Sequence, residues 1–420
     1  MEGPSKVISD ALVSGITKGR GGKGSIFVFA TGNGGEYGDN CNFDGYANSI
    51  YTVSIGAIDR YDDRPFYSEQ CSAQLAVTYS SSTEGDGIYT TDVGKEACTD
   101  SHGGTSAAAP LAAGLFALVL SIRPDLHWRD IQHLAVRTAQ PFSLDDPDWQ
   151  PTTSGRKFNH KYGYGKLDAY RIVEESKTYN SIGPQVQLCS GSLEVNQRIP
   201  SSSTGIKQEF VMSAEVARKN FLNLLEHVTV TLNIEHQRRG DIEVYLISPN
   251  NVTSILSPGR QFDESEEGFE NWTFMSVKHW DESIVGTWTL LIVDDQNLDK
   301  VGTLQSWSLS FYGARYDPVM ERSEDIETHG AARNPNLTSK SQQPIISSMY
   351  PIIAVFGAAT LIVVASAYRL HRVNTQTAGD YSKLQDTEQE TSFTQSLLNT
   401  TESSKSTDLT QGTENDGDIE

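Results

Sequence analysis

The sequence is short of positive charge, of cysteine and of any apolar leader. Lys and Arg number 33 against 54 Asp and Glu, a net charge of −21 over 420 residues. Phosphate recognition depends on clustered Lys and Arg, so the balance speaks against a nucleic-acid partner. It suits a basic ligand, a basic peptide or calcium instead. Four cysteines (Cys41, Cys71, Cys98 and Cys189) are too few to staple a fold of this length together, though enough for one or two disulfides. None stands in a CxxC or His/Cys spacing that would hold zinc. No apolar stretch follows Met1-Glu-Gly-Pro-Ser-Lys6, so the start does not read as a signal peptide.

What is present divides the chain. Residues 1–175 read as α/β. Val7, Ile8, Ala11, Leu12, Gly15 and Ile16 have helical spacing, and the Gly-rich stretch 19–24 breaks it. Ser25-Ile-Phe-Val-Phe-Ala30 and Tyr51-Thr-Val-Ser-Ile-Gly-Ala57 are short apolar runs of the buried-strand kind. Ala107 to Leu120 is apolar on every face, too short to span a bilayer and suited to a central buried helix. Strand, loop, strand and buried helix in that order predict a parallel sheet with helices on its faces.

From about residue 185 the period changes to two. Val228, Val230, Leu232 and Ile234 alternate with polar residues. So do Ile242, Val244 and Leu246, then Trp288, Leu290 and Ile292, then Trp307, Leu309 and Phe311. Short alternating strands with Gly, Pro and Asn turns predict an antiparallel sandwich over 176–318. Residues 319–344 are polar and read as a stalk. Met349 to Tyr368 carries no charge and is rich in Ile, Val and Ala, which places a single transmembrane helix at 345–368. Residues 369–420 are acidic with few apolar groups and read as a disordered tail. Arg369, His371 and Arg372 follow the span directly and mark the cytoplasmic side, so residues 1–348 are expected in a lumen. The sequons at Asn251, Asn271 and Asn336 agree with that side. In the tail, Tyr381-Ser-Lys-Leu384 resembles a tyrosine-based Golgi sorting signal.

Two motifs carry chemistry. In Ser101-His-Gly-Gly-Thr-Ser-Ala-Ala-Ala-Pro110 the glycines allow a tight turn, and Ser106 falls at the N-terminus of the apolar helix. Free backbone N–H groups and the helix dipole favour developing negative charge there, so a nucleophile would find part of an oxyanion hole beside it. A bare Gly-Thr-Ser marks no more than a small-residue helix start; the longer Gly-Thr-Ser-x-x-x-Pro pattern before an apolar helix is specific. In Ala30-Thr-Gly-Asn-Gly-Gly35, Asn33 follows a buried strand, where ligands of open α/β sheets gather. Its side-chain amide can donate to an oxyanion, although such a loop read alone is usually just a turn.

Together the motifs resemble the subtilisin superfamily, in its kexin and furin branch of proprotein convertases. The resemblance covers residues 1 to about 315. It extends through Asp44-Gly-Tyr-Ala-Asn-Ser-Ile-Tyr-Thr-Val-Ser-Ile55, Tyr67-Ser-Glu-Gln-Cys-Ser72, Trp128-Arg-Asp-Ile-Gln-His133 and His160-Lys-Tyr-Gly-Tyr-Gly-Lys-Leu-Asp-Ala169. The second part resembles the P domain of these enzymes, with Arg239-Gly-Asp241 before a strand and Gly286-Thr-Trp-Thr-Leu290. That Arg-Gly-Asp reads as a turn into a strand rather than as an adhesion tripeptide.

The resemblance implies the C-terminal half of a subtilisin-like α/β parallel-sheet domain, an all-β jelly-roll-like sandwich, then a single transmembrane helix. It makes Ser106 the nucleophile and Asn33 the oxyanion donor. Asp44 would receive the basic side chain before the scissile bond, Asp39 and Glu69 would ligate Ca2+, and Cys41 would pair with Cys71. It implies a calcium-dependent serine endopeptidase that cleaves secretory precursors after Lys-Arg or Arg-Arg, a single-pass type I membrane protein of the late Golgi or trans-Golgi network. Two departures accompany it. The family places its catalytic Asp and His further upstream of the serine than this chain extends; the first histidine here is His102, inside the serine motif. The chain is therefore expected to be a truncated piece, inactive alone. Cys98 matches a cysteine whose partner lies upstream, and Cys189 is expected free. The competing expectation is a non-enzymatic, membrane-tethered sandwich that binds partners, or a pseudoprotease.

Overall fold

The computed structural model of the protein describes residues 1–296 and 299–315. The stalk, the apolar span, the acidic tail, the Asn336 sequon and the Tyr381 signal lie outside the described residues.

The predicted first helix forms as α1 (Lys6–Gly22), and its helical dihedrals fail where glycine was expected to break it, at Gly19, Arg20 and Gly21. Its inward stripe is narrower than the spacing implied. Leu12 and Ile16 are buried, while Val7 and Ile8 remain 78% and 40% exposed. Gly15 lets the helix approach the sheet, since a Cβ there would stand 2.4 Å from the Phe27 ring.

Strands β1 (Phe27–Ala30), β2 (Thr52–Ile58) and β3 (Ala76–Tyr79) form the predicted parallel sheet, in the order β1-β2-β3. Phe27 stands opposite Thr52, and Ile55 opposite Ala76. The central strand β2 is buried at every position. β1 is only half-buried along its length, a correction to the buried strand expected there. Its apolar run resembles that of β2, but β1 has a single neighbour.

The serine motif opens α2 (Thr105–Ile122), which packs on all three strands. At 18 residues this helix exceeds the apolar run that predicted it, and by length and composition it could cross a membrane. Its packing shows where it belongs: Ala108, Ala112, Phe116 and Val119 enter the core beneath the sheet. The expectation of burial on every face is corrected, because Leu111 and Leu118 stay 44% and 56% exposed. A helix lying on one sheet has only one face to bury. The hairpin β4 (Ile88–Thr91) and β5 (Cys98–His102) precedes α2; α3 (Trp128–Thr138), the small pair β6 (Gln150–Pro151) and β7 (Lys157–Phe158), and α4 (Ala169–Thr178) follow it.

The rest is an antiparallel sandwich. Its strands are β8 (Gln185–Cys189), β9 (Leu193–Ile199), β10 (Ser202–Met212), β11 (His227–His236), β12 (Ile242–Ile247), β13 (Thr253–Ser257), β14 (Phe269–Ser276), β15 (Gly286–Asp294) and β16 (Gly302–Ala314). One sheet runs β10-β15-β12-β13, the other β14-β11-β16-β8, with β9 also on β16. The alternating residues that predicted these strands point inward, and none from Val228 to Phe311 in that set is more than 2% exposed.

Over the described residues both layers belong to one compact unit. Apolar and ionic contacts join them. Phe43, from the α/β part, lies in the sandwich core with its ring 5.5 Å from that of Phe274. In the other direction Trp280 of the sandwich lies in the α/β core, edge-on to His133. Arg129 and His133 on α3 meet Glu226, just before β11. Arg129 Nε donates to Glu226 Oε2 at 2.7 Å and its Nη2 to Oε1, while His133 Nε2 stands 3.0 Å from Oε1. Arg129 and Glu226 are buried.

Candidate active site

The turn into α2 tolerates little but glycine. Gly104 has φ +72°, and a Cβ on it would lie 3.2 Å from the Asn33 amide; a Cβ on Gly103 would strike Ser81 Oγ at 2.2 Å. The Gly104 carbonyl accepts from Ser80 Oγ at 2.5 Å and its amide donates to Ser81 Oγ at 3.2 Å. Thr105, the first helical residue, is buried and reaches across to the other motif. Its backbone N–H and its hydroxyl both donate to Asn33 Oδ1, at 2.8 and 2.9 Å, and Gly32 N donates to its Oγ1 at 3.2 Å. Residues 72 apart in sequence are thus held in one constellation. Because the Asn33 carbonyl is occupied, its Nδ2 is the end left to donate. Ser106 is exposed in the first turn of α2, where backbone N–H groups lack helical partners. An accessible hydroxyl beside an oriented amide donor at a helix N-terminus suits attack on a carbonyl with stabilisation of the resulting oxyanion.

Most described histidines have carboxylate partners far from Ser106 in sequence. His133, His160, His236 and His279 are bound to Glu226, Asp148, Asp294 and Glu282, and none of the described histidines hydrogen-bonds Ser106. A serine–histidine–carboxylate chain does exist in the sandwich. Ser254 Oγ lies 2.9 Å from His279 Nε2, and His279 Nδ1 lies 2.7 Å from Glu282 Oε2. All three side chains are fully buried, and the Ser254 hydroxyl is shared with Ser276 at 2.6 Å. No substrate reaches it. It satisfies buried polar groups, and burial holds the His279 pKa below its usual range despite the Glu282 partner.

The candidate acidic residues converge. Asp39 and Asp44 flank the short 3₁₀ turn Cys41–Phe43, and the disulfide between Cys41 and Cys71 ties that turn to the loop carrying Glu69. The three carboxylates line one cavity of about 480 Å³ together with Met1, Glu2, Tyr46 and Arg260. Glu69 is buried and its Oε1 accepts from Gly34 N at 2.9 Å. Burial, with Asp39 and Asp44 repelling, pushes its carboxyl up to about 7, although the Gly34 amide and Arg260 oppose the shift. Asp44 is half-buried and accepts from Tyr46 N at 2.8 Å. Asp39 is exposed, accepts from Asn40 N at 2.9 Å and faces Arg260 Nη2 at 3.4 Å. Carboxylate oxygens are the ligands a hard cation takes, but here they share the cavity with Arg260 and the Met1 amino group. They form a partial set: among the described residues, no three His, Cys, Asp or Glu converge closely enough to hold a metal by themselves.

Cys98 and Cys189 are free and exposed. The sequence offered no signal for Arg260, in a Ser-Pro-Gly-Arg loop of the sandwich, nor for Phe43 as its plug. Thr105 stood inside the serine motif without a role.

Comparison with known proteins agrees with both halves. The subtilase family profile matches residues 2–165, and the proprotein convertase P-domain profile matches residues 225–311. The chain is 46% identical over 324 residues to a dibasic-processing endoprotease of Schizosaccharomyces pombe, covering 76% of this chain and 45% of that one. It is 44% identical over 318 residues to kexin of Saccharomyces cerevisiae, covering 76% and 39%. It thus spans less than half the length of these curated relatives. Among solved structures, a serine protease of Aeromonas sobria shares the fold, with a TM-score of 0.66 at 20% identity over 74% of this chain and 69% of that one. With a subtilisin-like α/β part followed by a P domain, the chain belongs to the subtilase family, among its kexin-like proprotein convertases.

Proposed function

We propose that Ser106 and Asn33 serve a calcium-dependent serine endopeptidase that cleaves secretory precursor proteins after paired basic residues. The observation that carries this is the clasp of Thr105 on Asn33 Oδ1, which leaves the Asn33 amide as the free end of a side chain held next to the residue before the exposed Ser106. Ser106 Oγ would attack the scissile carbonyl, with Asn33 Nδ2 and the first amides of α2 receiving the oxyanion. Asp44, half-buried in the acidic cavity, would pair with the cationic side chain before the cut. Calcium, held in part by Asp39 and Glu69, would supply fixed positive charge among crowded carboxylates. A relative described as a dibasic-processing endoprotease supports the substrate class. The apolar segment 345–368 would anchor the protein as a single-pass type I membrane protein of the late Golgi, with Ser106 in the lumen.

Attack also needs a base to take the Ser106 proton, and none of the described histidines hydrogen-bonds that serine. The second candidate function, a membrane-tethered binding module without catalysis, draws on the same observation. A fluorophosphonate probe is expected to leave the 420-residue chain unlabelled. Labelling that Ser106→Ala removes would reveal a base within these residues and overturn that expectation. Joined in frame to a segment that sets a His and an Asp against Ser106, the chain is expected to cleave Lys-Arg peptides, and to stop on chelation. Undiminished cleavage with a chelator would remove calcium from the proposal. No cleavage at all from a folded fusion would favour the binding module.

A further inference from the structure

The loop between β2 and β3 is fixed at its base and reaches two parts of the candidate site. Ser68 is fully buried, and its Oγ accepts from Ala57 N on β2 at 3.1 Å. Its carbonyl accepts from the Arg64 guanidinium, and the disulfide at Cys71 ties the loop to Cys41. From that base the loop holds the segment around Asn33 on both sides. Gly35 N donates to Tyr67 O at 2.9 Å, Glu69 N donates to Gly32 O at 3.2 Å, and Gly34 N donates to Glu69 Oε1 at 2.9 Å. The two segments touch closely. A Cβ on Gly35 would stand 2.5 Å from Ser68 O, and one on Gly32 would stand 2.2 Å from Glu69 Oε1.

The Tyr67 side chain reaches the turn ahead of Ser106. It is half-buried, and its Oη donates to Ser81 O at 2.8 Å and lies 3.1 Å from Ser81 Oγ. Ser81 Oγ accepts from Gly104 N and is the atom that a Cβ on Gly103 would strike. Beside it Ser80 Oγ donates to Gly104 O, and Thr78 Oγ1 donates to Ala108 O at 2.7 Å. The end of β3 is thus stitched to the first turn of α2, and Tyr67 carries the stitch on to the loop that grips Asn33.

Resting on the reading of Ser106 as nucleophile and Asn33 as oxyanion donor, we infer that Tyr67 is a positioning residue for both. Its hydroxyl, acting through Ser81, sets the Gly103-Gly104 turn and so the place of Ser106. Its carbonyl holds the segment that presents Asn33. One residue therefore keeps the attacking oxygen and the oxyanion donor at a fixed separation, while its own hydrogen bonds go to neither. Attack needs reacting atoms aligned at about 3–3.5 Å, so a small shift of the turn slows it. One hydrogen bond of ordinary net strength puts the effect at about fivefold.

Tyr67→Phe removes the hydroxyl and keeps the ring. In the full chain, amide hydrogen exchange at Gly104 and Thr105 is expected to quicken about fivefold, with Gly35 and the unfolding midpoint unchanged. Ser81→Ala should quicken Gly104 at least as much, and the double variant no more than Ser81→Ala, because the two side chains act in series. Unchanged exchange at Gly104 in Tyr67→Phe would overturn the inference, as would additive effects in the double variant. The second arm uses the full chain joined in frame to a segment that supplies the His and Asp. There Tyr67→Phe is expected to lower kcat on Lys-Arg peptides about fivefold and to leave KM as it was. Faster exchange with an unchanged kcat would make Tyr67 a prop of the fold and sink its positioning role alone. A folded parent fusion that cleaves nothing would sink the endopeptidase reading, and the positioning role with it.

Discussion

Asp44→Asn is expected to lower kcat/KM for Lys-Arg peptides by about 10²–10³-fold, in a form of the protein that cleaves, and to leave uncharged substrates nearly untouched. A cationic side chain entering the acidic cavity gives up water and is repaid by a charge-assisted pair with Asp44. Losing one member of a desolvated pair typically costs about 3–5 kcal/mol, because the other charge is left buried and unpaired. Asn preserves shape and hydrogen bonding but not charge, so the loss should fall on basic substrates alone. Discrimination is what the experiment reads: rates for Lys-Arg and for a neutral isostere, compared between parent and variant. Equal loss on both would mean that Asp44 supports the loop, where it accepts from Tyr46 N, and does not select the substrate.

Glu226→Gln is expected to destabilise the folded chain by about 3–5 kcal/mol, through the stranded charge of Arg129. Arg129 is buried on α3 with Glu226 as its paired carboxylate, and its remaining Nη1 donates to Gly183 O at 2.9 Å. The neighbouring His133 also meets Glu226, its Nε2 standing 3.0 Å from Oε1, and Trp280 Nε1 donates to its Nδ1 at 3.3 Å. Burial alone would raise the Glu226 pKa, but Arg129 and then His133 outweigh it and hold the carboxyl down at about 2. A folded pKa below the unfolded value of 4.5 contributes stability above that pH, and the contribution is lost as pH falls from 4.5 towards 2. Unfolding free energies from denaturant titrations across that window should therefore fall by about 3 kcal/mol more in the parent than in Glu226→Gln. Parallel pH profiles would show that the pair is not ionic in the folded state. Replacing Arg129 and Glu226 together by apolar residues should cost less than Glu226→Gln alone, since no charge is then left behind.

Much of the candidate site was legible because its signals are local. Gly103 and Gly104 announce a turn that only glycine can make, and the apolar run behind Ser106 announces the helix whose N-terminus it occupies. The alternation from Val228 to Phe311 announced the sandwich in the same way, since a strand with one dry face must repeat every two residues. Arg260 left no such trace. A single arginine in a polar loop has no period, and its neighbours at Asp39 and Phe43 lie more than two hundred positions earlier in the chain.

By itself the sequence determined the two architectures, the first helix, the strands with a clear apolar run or alternation and the helix behind Ser106, and it nominated the side chains proposed to attack a carbonyl or meet a cation. Those properties reside in residues next to or a few positions from one another, where backbone geometry and side-chain period act directly. Tertiary structure alone decided which of them act together. It made β1 a half-exposed edge and left Leu111 and Leu118 on the open face of α2, because burial depends on what lies across from a residue. It held Asn33 on Thr105, the neighbour of Ser106, buried Arg239-Gly240-Asp241 as a 3₁₀ turn, and carried Arg260 to the carboxylates of another domain. Each of these is a contact between distant segments, and the free energy that selects it comes from the packing of the whole unit, which no local stretch of sequence contains.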